Sequence, residues 1–256
     1  MSSSTIAVLA ISDTHSRLSN LNFNKISADI FIHAGDLTHH GTKEELERAI
    51  QWLGELPFQH KIVIAGNHDI GLDKTCNFRL RLSRKVGSYA TSSETDELIA
   101  SMEKHNIIYL SPRNPLVELD VKGYRLRIYG LPYSPIYHGP SAFQRPRSED
   151  NWANIQDDRQ YDILISHGPP HGWLDKTVHG KHPGCQHFLA AVKRAKPTLA
   201  IFGHIHEARG KQMVEWEDGS STTLWNAAVE YSKDKTVFAR PISIKGKTEI
   251  SEVFED

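Results

Sequence analysis

The chain has 256 residues, and its 30 basic and 31 acidic side chains leave a formal net charge of −1. That balance excludes a protein whose main task is to coat nucleic acid, which carries a basic excess, so no stable nucleic-acid complex is expected. Two cysteines, Cys76 and Cys185, cannot build a disulfide scaffold and fit an intracellular chain.

The N-terminal Met1-Ser2-Ser3-Ser4-Thr5 has neither a basic region nor a long apolar stretch. The first apolar run, Ile6–Ile11, ends at Ser12-Asp13 and is too short for a signal sequence or a membrane span. Later runs are no longer, so the expected location is cytoplasmic, with no membrane partner. Strand-length apolar runs recur at Ile30–His33, Ile62–Ala65, Leu126–Tyr129, Ile163–Ile165 and Leu199–Phe202. Such runs predict strands buried on both faces. Thr42-Lys43-Glu44-Glu45 opens a helix as a capping box, and Leu46, Ala49, Ile50 and Leu53 follow on one face. Glu94–His105 and Gly184–Ala195 predict further helices. Ser134 to Asp158, with Pro135, Gly139, Pro140 and Pro146, reads as a long surface excursion with a short helix near Glu149–Ile155. Met213–Trp216 and Thr222–Asn226 flank Glu217-Asp218-Gly219-Ser220 as a hairpin. Strand–helix alternation predicts an α/β class, with one mixed sheet or two sheets packed together, in a single domain over residues 1–256.

The polar residues that follow these runs carry the chemistry. Asp13 and His15 follow the first run, and Gly35-Asp36 the second. Gly66-Asn67-His68-Asp69 follows the third, His167 the fifth, and Gly203-His204-Ile205-His206 the sixth. In open α/β sheets ligands bind beyond the carboxyl ends of strands, so distant residues can converge on one rim. A set of imidazoles, carboxylates and a carboxamide without thiolate suits Mn, Fe or Zn rather than an iron–sulfur or copper site. Two such ions about 3.5–4 Å apart can clamp the attacking and leaving oxygens of a displacement at phosphorus, with a carboxylate between them.

This ordered set resembles the calcineurin-like metallophosphoesterase superfamily. The matching segments are Asp13-Thr14-His15, Gly35-Asp36, Gly66-Asn67-His68-Asp69, His167-Gly168-Pro169-Pro170 and Gly203-His204-Ile205-His206. Ile11–Arg17, Trp52-Leu53-Gly54 and Lys61–His68 look more closely like the metallophosphoesterase-domain-containing (brain and fetal) family of phosphodiesterases. The resemblance implies a four-layer αββα sandwich of two mixed β-sheets flanked by helices. It also implies two divalent ions, Mn first, with Fe, Zn or Mg as alternatives. The first ion takes Asp13, His15 and His206; the second takes Asn67, His167 and His204; Asp36 bridges. A bridging hydroxide is the implied nucleophile, with His68 near the leaving-group oxygen and Asp69 orienting the loop. Some relatives carry Gly in place of the last ligand, whereas this chain has His206. The expected substrate is a small phosphodiester, cyclic nucleotides included, or a monoester.

Two departures narrow the subclass. His39 stands where purple acid phosphatases place a Tyr ligand, and Leu37-Thr38-His39-His40-Gly41 lacks the charged pair of protein phosphatases. His39, His171 and Trp173 are candidate substrate contacts, with Arg145 and Arg147 weaker ones. A structure-specific nuclease is the alternative enzyme, using Arg79, Arg81, Arg84 and Lys85 as a basic track. A metal-binding interaction scaffold without turnover is the non-enzymatic alternative.

Overall fold

A computed structural model describes residues 5–17, 23, 26–76, 87–137, 141–156 and 160–229, and the backbone of 242–245 and 249–252. Arg79, Arg81, Arg84 and Lys85 lie outside the described residues. In chain order the first strands are β1 (Thr5–Ile11), β2 (Ile30–Ala34), β3 (His60–Ile64), β4 (Ile107–Tyr109), β5 (Leu116–Val121), β6 (Tyr124–Leu131), β7 (Ser134–Pro135) and β8 (Gln144–Arg145). They are followed by β9 (Ile163–Ser166), β10 (Leu199–Phe202), β11 (Gly210–Glu215), β12 (Ser221–Asn226), β13 (Ile242–Lys245) and β14 (Glu249–Glu252). The helices are α1 (Lys43–Glu55), α2 (Ser92–Lys104) and α3 (Gln186–Ala195). No helix among the described residues is long and apolar enough to cross a membrane.

The strands form two mixed sheets and a small β7–β8 pair. The first sheet runs β14-β13-β1-β2-β3-β4, with β1 to β4 parallel. The second runs β11-β12-β10-β9-β6-β5, with β12, β10, β9 and β6 parallel and antiparallel strands at both edges. Alternate residues of each central strand point to opposite faces. Ile6, Val8 and Ala10 of β1 therefore join Ile32, Ile64, Ile128, Ile165 and Ile201 in a core between the sheets. Leu9 and Ile11 point the other way, to Leu46, Ile50 and Leu53 of α1 and Leu98 and Met102 of α2. On the far side, Tyr129, Leu164 and Phe202 pack on Phe188, Ala191 and Val192 of α3. The result is the four-layer αββα sandwich.

Helix starts follow local chemistry. In α1, Thr42 Oγ1 accepts from Glu45 N at 3.3 Å, and Glu45 Oε2 accepts from Thr42 N at 3.2 Å. A second capping box, on Thr91 and Glu94, starts α2 before the residue at which the sequence pattern opens it. The helix expected near Glu149–Ile155 is absent; Asn151 to Asn154 forms turns instead. Asp150 Oδ1 accepts from Trp152 N at 2.9 Å, while Arg194 donates to the Trp152 and Ile155 carbonyls at 3.0 and 3.2 Å. Trp152 is buried against Phe188, ring to ring at 4.5 Å. Side chains thus take up the polar groups a helix would need.

Register positions the site. Val8 pairs with Ile30 and Ile11 with His33, and Ile30 pairs with His60. The loops after β1, β2 and β3 therefore leave the first sheet at one edge. In the second sheet, Ile163 pairs with Leu199, so the loops after β9 and β10 emerge side by side. The two edges are tied together where His204 N donates to Asp13 Oδ2 at 3.0 Å.

Candidate metal centre

The loops at this edge are held in a backbone conformation that side chains disfavour. Asp13, His15, Asp36 and His204 have φ of 60, 44, 54 and 69°. A left-handed non-glycine residue costs roughly 1–2 kcal/mol, and such strain gathers where geometry matters more than stability. Glycines let the loops close in. A Cβ on Gly66 would meet Asp36 Oδ1 at 2.3 Å, and one on Gly203 would meet Asp13 Oδ2 at 2.2 Å.

Two donor groups result. Ligand atoms of Asp13, His15 and His206 lie within 4.8 Å of one another, as do those of Asp36, His167 and His204. Asp36 faces both groups: its Oδ2 is 3.7 Å from His15 Nε2, and its Oδ1 is 3.4 Å from His167 Nε2. His206 Nε2 is 3.1 Å from Asp13 Oδ1. Asn67 Oδ1 lies 2.9 Å from His167 Nε2 and so joins the second group. Carbonyl oxygens only accept, so His15 Nδ1 donates to Thr38 O at 3.2 Å and His167 Nδ1 to Ala34 O at 3.0 Å. A metal-bound imidazole usually holds its distal N–H in this way, which turns the other nitrogen to the ion.

The donors fit cations. Asp13 Oδ1 is buried and faces the imidazole nitrogens of His206 at 3.1 Å and His15 at 4.0 Å. His167 is fully buried, and burial alone lowers its pKa. The carboxylates of Asp36 and Asp13 and the Ala34 carbonyl together outweigh burial and raise it to about 9, so this place favours positive charge. A divalent ion would supply the same charge at that place. Burial would raise the Asp36 carboxyl, but His167 holds it well below its usual range. Burial would likewise raise Asp13, yet contact with His206 and the charge of His167 bring it to about 2. His15 and His204 are lowered to about 4, chiefly by burial, and so are neutral at pH 7, as ligands must be.

The remaining sequence candidates fall in different places. His68 Nδ1 donates to His39 O at 2.7 Å, and its ring meets that of His15 edge-on at 4.6 Å. His39 is exposed at the rim, 5.9 Å from the rings of His15 and His68. Asp69 is buried and accepts from Leu37 N, Thr38 N, Thr38 Oγ1 and Gly66 N, so it ties the loop after β2 to the loop after β3. His171 lies 4.0 Å from Asp175, and half-buried Trp173 packs on Trp216 and beneath Lys193. Arg145 covers the Tyr133 ring, and Arg147 donates to the carbonyls of Pro183 and Gly184. Sequence reasoning passed over two residues. Buried Asp175 accepts from Gly172 N, Gly184 N and His182 Nδ1, which shapes the loop after His167. His33, buried in β2, holds Thr14 Oγ1 at 3.0 Å beneath the first group. An Asp among glycines and a His inside an apolar run carry no signal of such roles.

Comparisons with known proteins agree with this geometry. A family model described as calcineurin-like phosphoesterase matches residues 6–208. A protein of Emericella nidulans described as probable rhamnogalacturonate lyase C is 38% identical over 237 residues, 88% of this chain and 20% of that protein. Human metallophosphoesterase domain-containing protein 1 is 38% identical over 231 residues, 86% of this chain and 65% of that protein. The chain thus spans less than two thirds of these relatives' own lengths. In fold it resembles the structure of TT1561 from Thermus thermophilus, with a TM-score of 0.59 at 14% identity over 97% of this chain and 99% of that one.

Proposed function

Because the chain belongs to the calcineurin-like phosphoesterase family, we propose that it is a metal-dependent phosphoesterase acting on small phosphodiesters, cyclic nucleotides among them, and on monoesters. Residues 1–256 act as one cytoplasmic domain. Asp13, His15 and His206 hold one divalent ion, and Asn67, His167 and His204 hold the other. Asp36 lies between them. The observation that carries this reading is Asp36 itself, a buried carboxylate with one oxygen toward each imidazole group. Manganese is the first choice of metal, with Fe, Zn or Mg as alternatives.

Such ions, when bound, polarise a phosphoryl oxygen and bring water's pKa toward neutrality. The chain's own residues do the rest. The His39 carbonyl holds His68 Nδ1–H at 2.7 Å, which leaves Nε2 as the nitrogen that handles the leaving-group proton. His39 and His171 lie exposed or half-exposed and meet the substrate phosphate. The Thr38 and Ala34 carbonyls keep His15 and His167 in their ligand tautomers.

The test is metal content beside turnover. Protein reconstituted with Mn and desalted should hold about two equivalents and hydrolyse a chromogenic diester. Asp36→Asn should empty both sites together, whereas His206→Gly should weaken only the first ion, by about 10–100-fold. Metal content near zero under every reconstitution would overturn the assignment.

A further inference from the structure

A third imidazole group stands at the mouth of the centre. Ligand nitrogens of His15, His39 and His68 all lie within 4.8 Å of one another. Two of these rings are already aimed as ligands are. His15 Nδ1 donates to the Thr38 carbonyl, and His68 Nδ1 to the carbonyl of the next residue, His39. One peptide segment therefore backs both rings, and a carbonyl behind the ring is the usual support of a metal-bound imidazole. Exposure rises from buried His15 through His68 to exposed His39, so solvent reaches this group from its His39 side.

We propose that His15, His39 and His68 form a separate cation site for Zn2+ or a similar imidazole-preferring divalent ion, and that this site and the Asp13–His15–His206 site exclude one another. The exclusion follows from His15. Its Nδ1 is tied to Thr38, and the single lone pair on Nε2 serves one ion at a time. Selectivity follows from the donor set. Three imidazoles without a carboxylate suit Zn, Co, Ni or Cu, whereas Mn and Mg favour the oxygens of the dinuclear centre. Three nitrogens also leave a fourth tetrahedral position for water or a phosphate oxygen. Filling the site draws His15 from the first ion and His68 from the leaving group, so it inhibits. That inhibition rests on the phosphoesterase reading; the site itself does not.

The test adds Co2+ to Mn-loaded protein without substrate. Four-coordinate Co2+ absorbs visible light far more strongly than six-coordinate Co2+. The parent should show the strong band, and His39→Ala and His68→Ala should lose it. His40→Ala should keep it, although the His40 ring lies 4.4 Å from that of His39. A spectrum unchanged in His39→Ala, or lost in His40→Ala alone, would overturn the site. In the turnover arm, Zn2+ should inhibit the parent, and His39→Ala should need about 10–100-fold more of it. Equal inhibition of both proteins would overturn the inhibitory role. Absence of hydrolysis in any metal would overturn the phosphoesterase reading, and the cobalt band would still decide the site.

Discussion

At the scale of the residue, the proposed function would separate holding a metal from moving a proton. His15 and His167 are backed by carbonyls and turn toward Asp36, whereas His68 has the same backing but meets Asp36 only through its backbone N–H, at 2.8 Å from Oδ1. Removing the His68 ring should therefore leave the metals in place. His68→Ala is expected to lower kcat by about 10²–10⁴, the usual range for a positioned acid. The loss should shrink with nitrophenyl esters, whose leaving group needs no proton. Parallel loss of Mn would show instead that His68 is a ligand of the dinuclear centre. The proposed ligands stand out in the sequence because each follows a strand-length apolar run. Trp173 was not readable in this way. An aromatic side chain in a loop can stack on a base or anchor the loop, and its contacts with Trp216 and Lys193 come from elements distant in the sequence.

At the scale of the element, the loops rather than the strands carry the strain, and Asp69 braces them. Its carboxylate accepts from the backbone N–H groups of Leu37, Thr38 and Gly66 in a fully buried position. Asp69→Ala would strand those donors at about 1–3 kcal/mol each. Urea denaturation should show a loss of at least about 2 kcal/mol, and Mn affinity should fall with it, because Asp36 and Asn67 flank the brace. Thr42→Ala offers the contrast. It removes the α1 cap, should cost about 1 kcal/mol, and should leave Mn affinity unchanged. If both variants lose affinity alike, the brace has no special part in the site. The same contrast explains what sequence reading could reach. β1, β2 and β3 are buried on both faces and carry strand-length apolar stretches, and the Thr42 box is a local code. β5, Leu-Val-Glu-Leu-Asp-Val, is an edge strand that alternates exposed and half-buried residues, and β4 has only 3 residues. Neither stands out before its partner strand is known. The Glu149–Ile155 stretch misled because a distant side chain, Arg194, takes its carbonyls.

At the scale of the whole molecule, the proposed ligands are divided between the two sheets. Asp13, His15, Asp36 and Asn67 leave the first; His167, His204 and His206 leave the second. Each ion would then be a clasp across the sandwich as well as a reagent. Ligand binding at 100 times its Kd adds about 2.7 kcal/mol to stability, and each kcal/mol is worth about 2–4 °C in a domain of this size. Stripping the ions with EDTA should lower the melting temperature by about 5–10 °C per ion by that arithmetic, and calorimetry with and without chelator would measure it. Asp36→Asn, already stripped, should barely respond; an equal shift in the two proteins would mean that no clasp exists. A chelator is on this account a denaturant of the chain, not merely an inhibitor. In a cell short of divalent metal the sandwich would open more often and be digested sooner, so the amount of folded protein would itself become a gauge of metal supply.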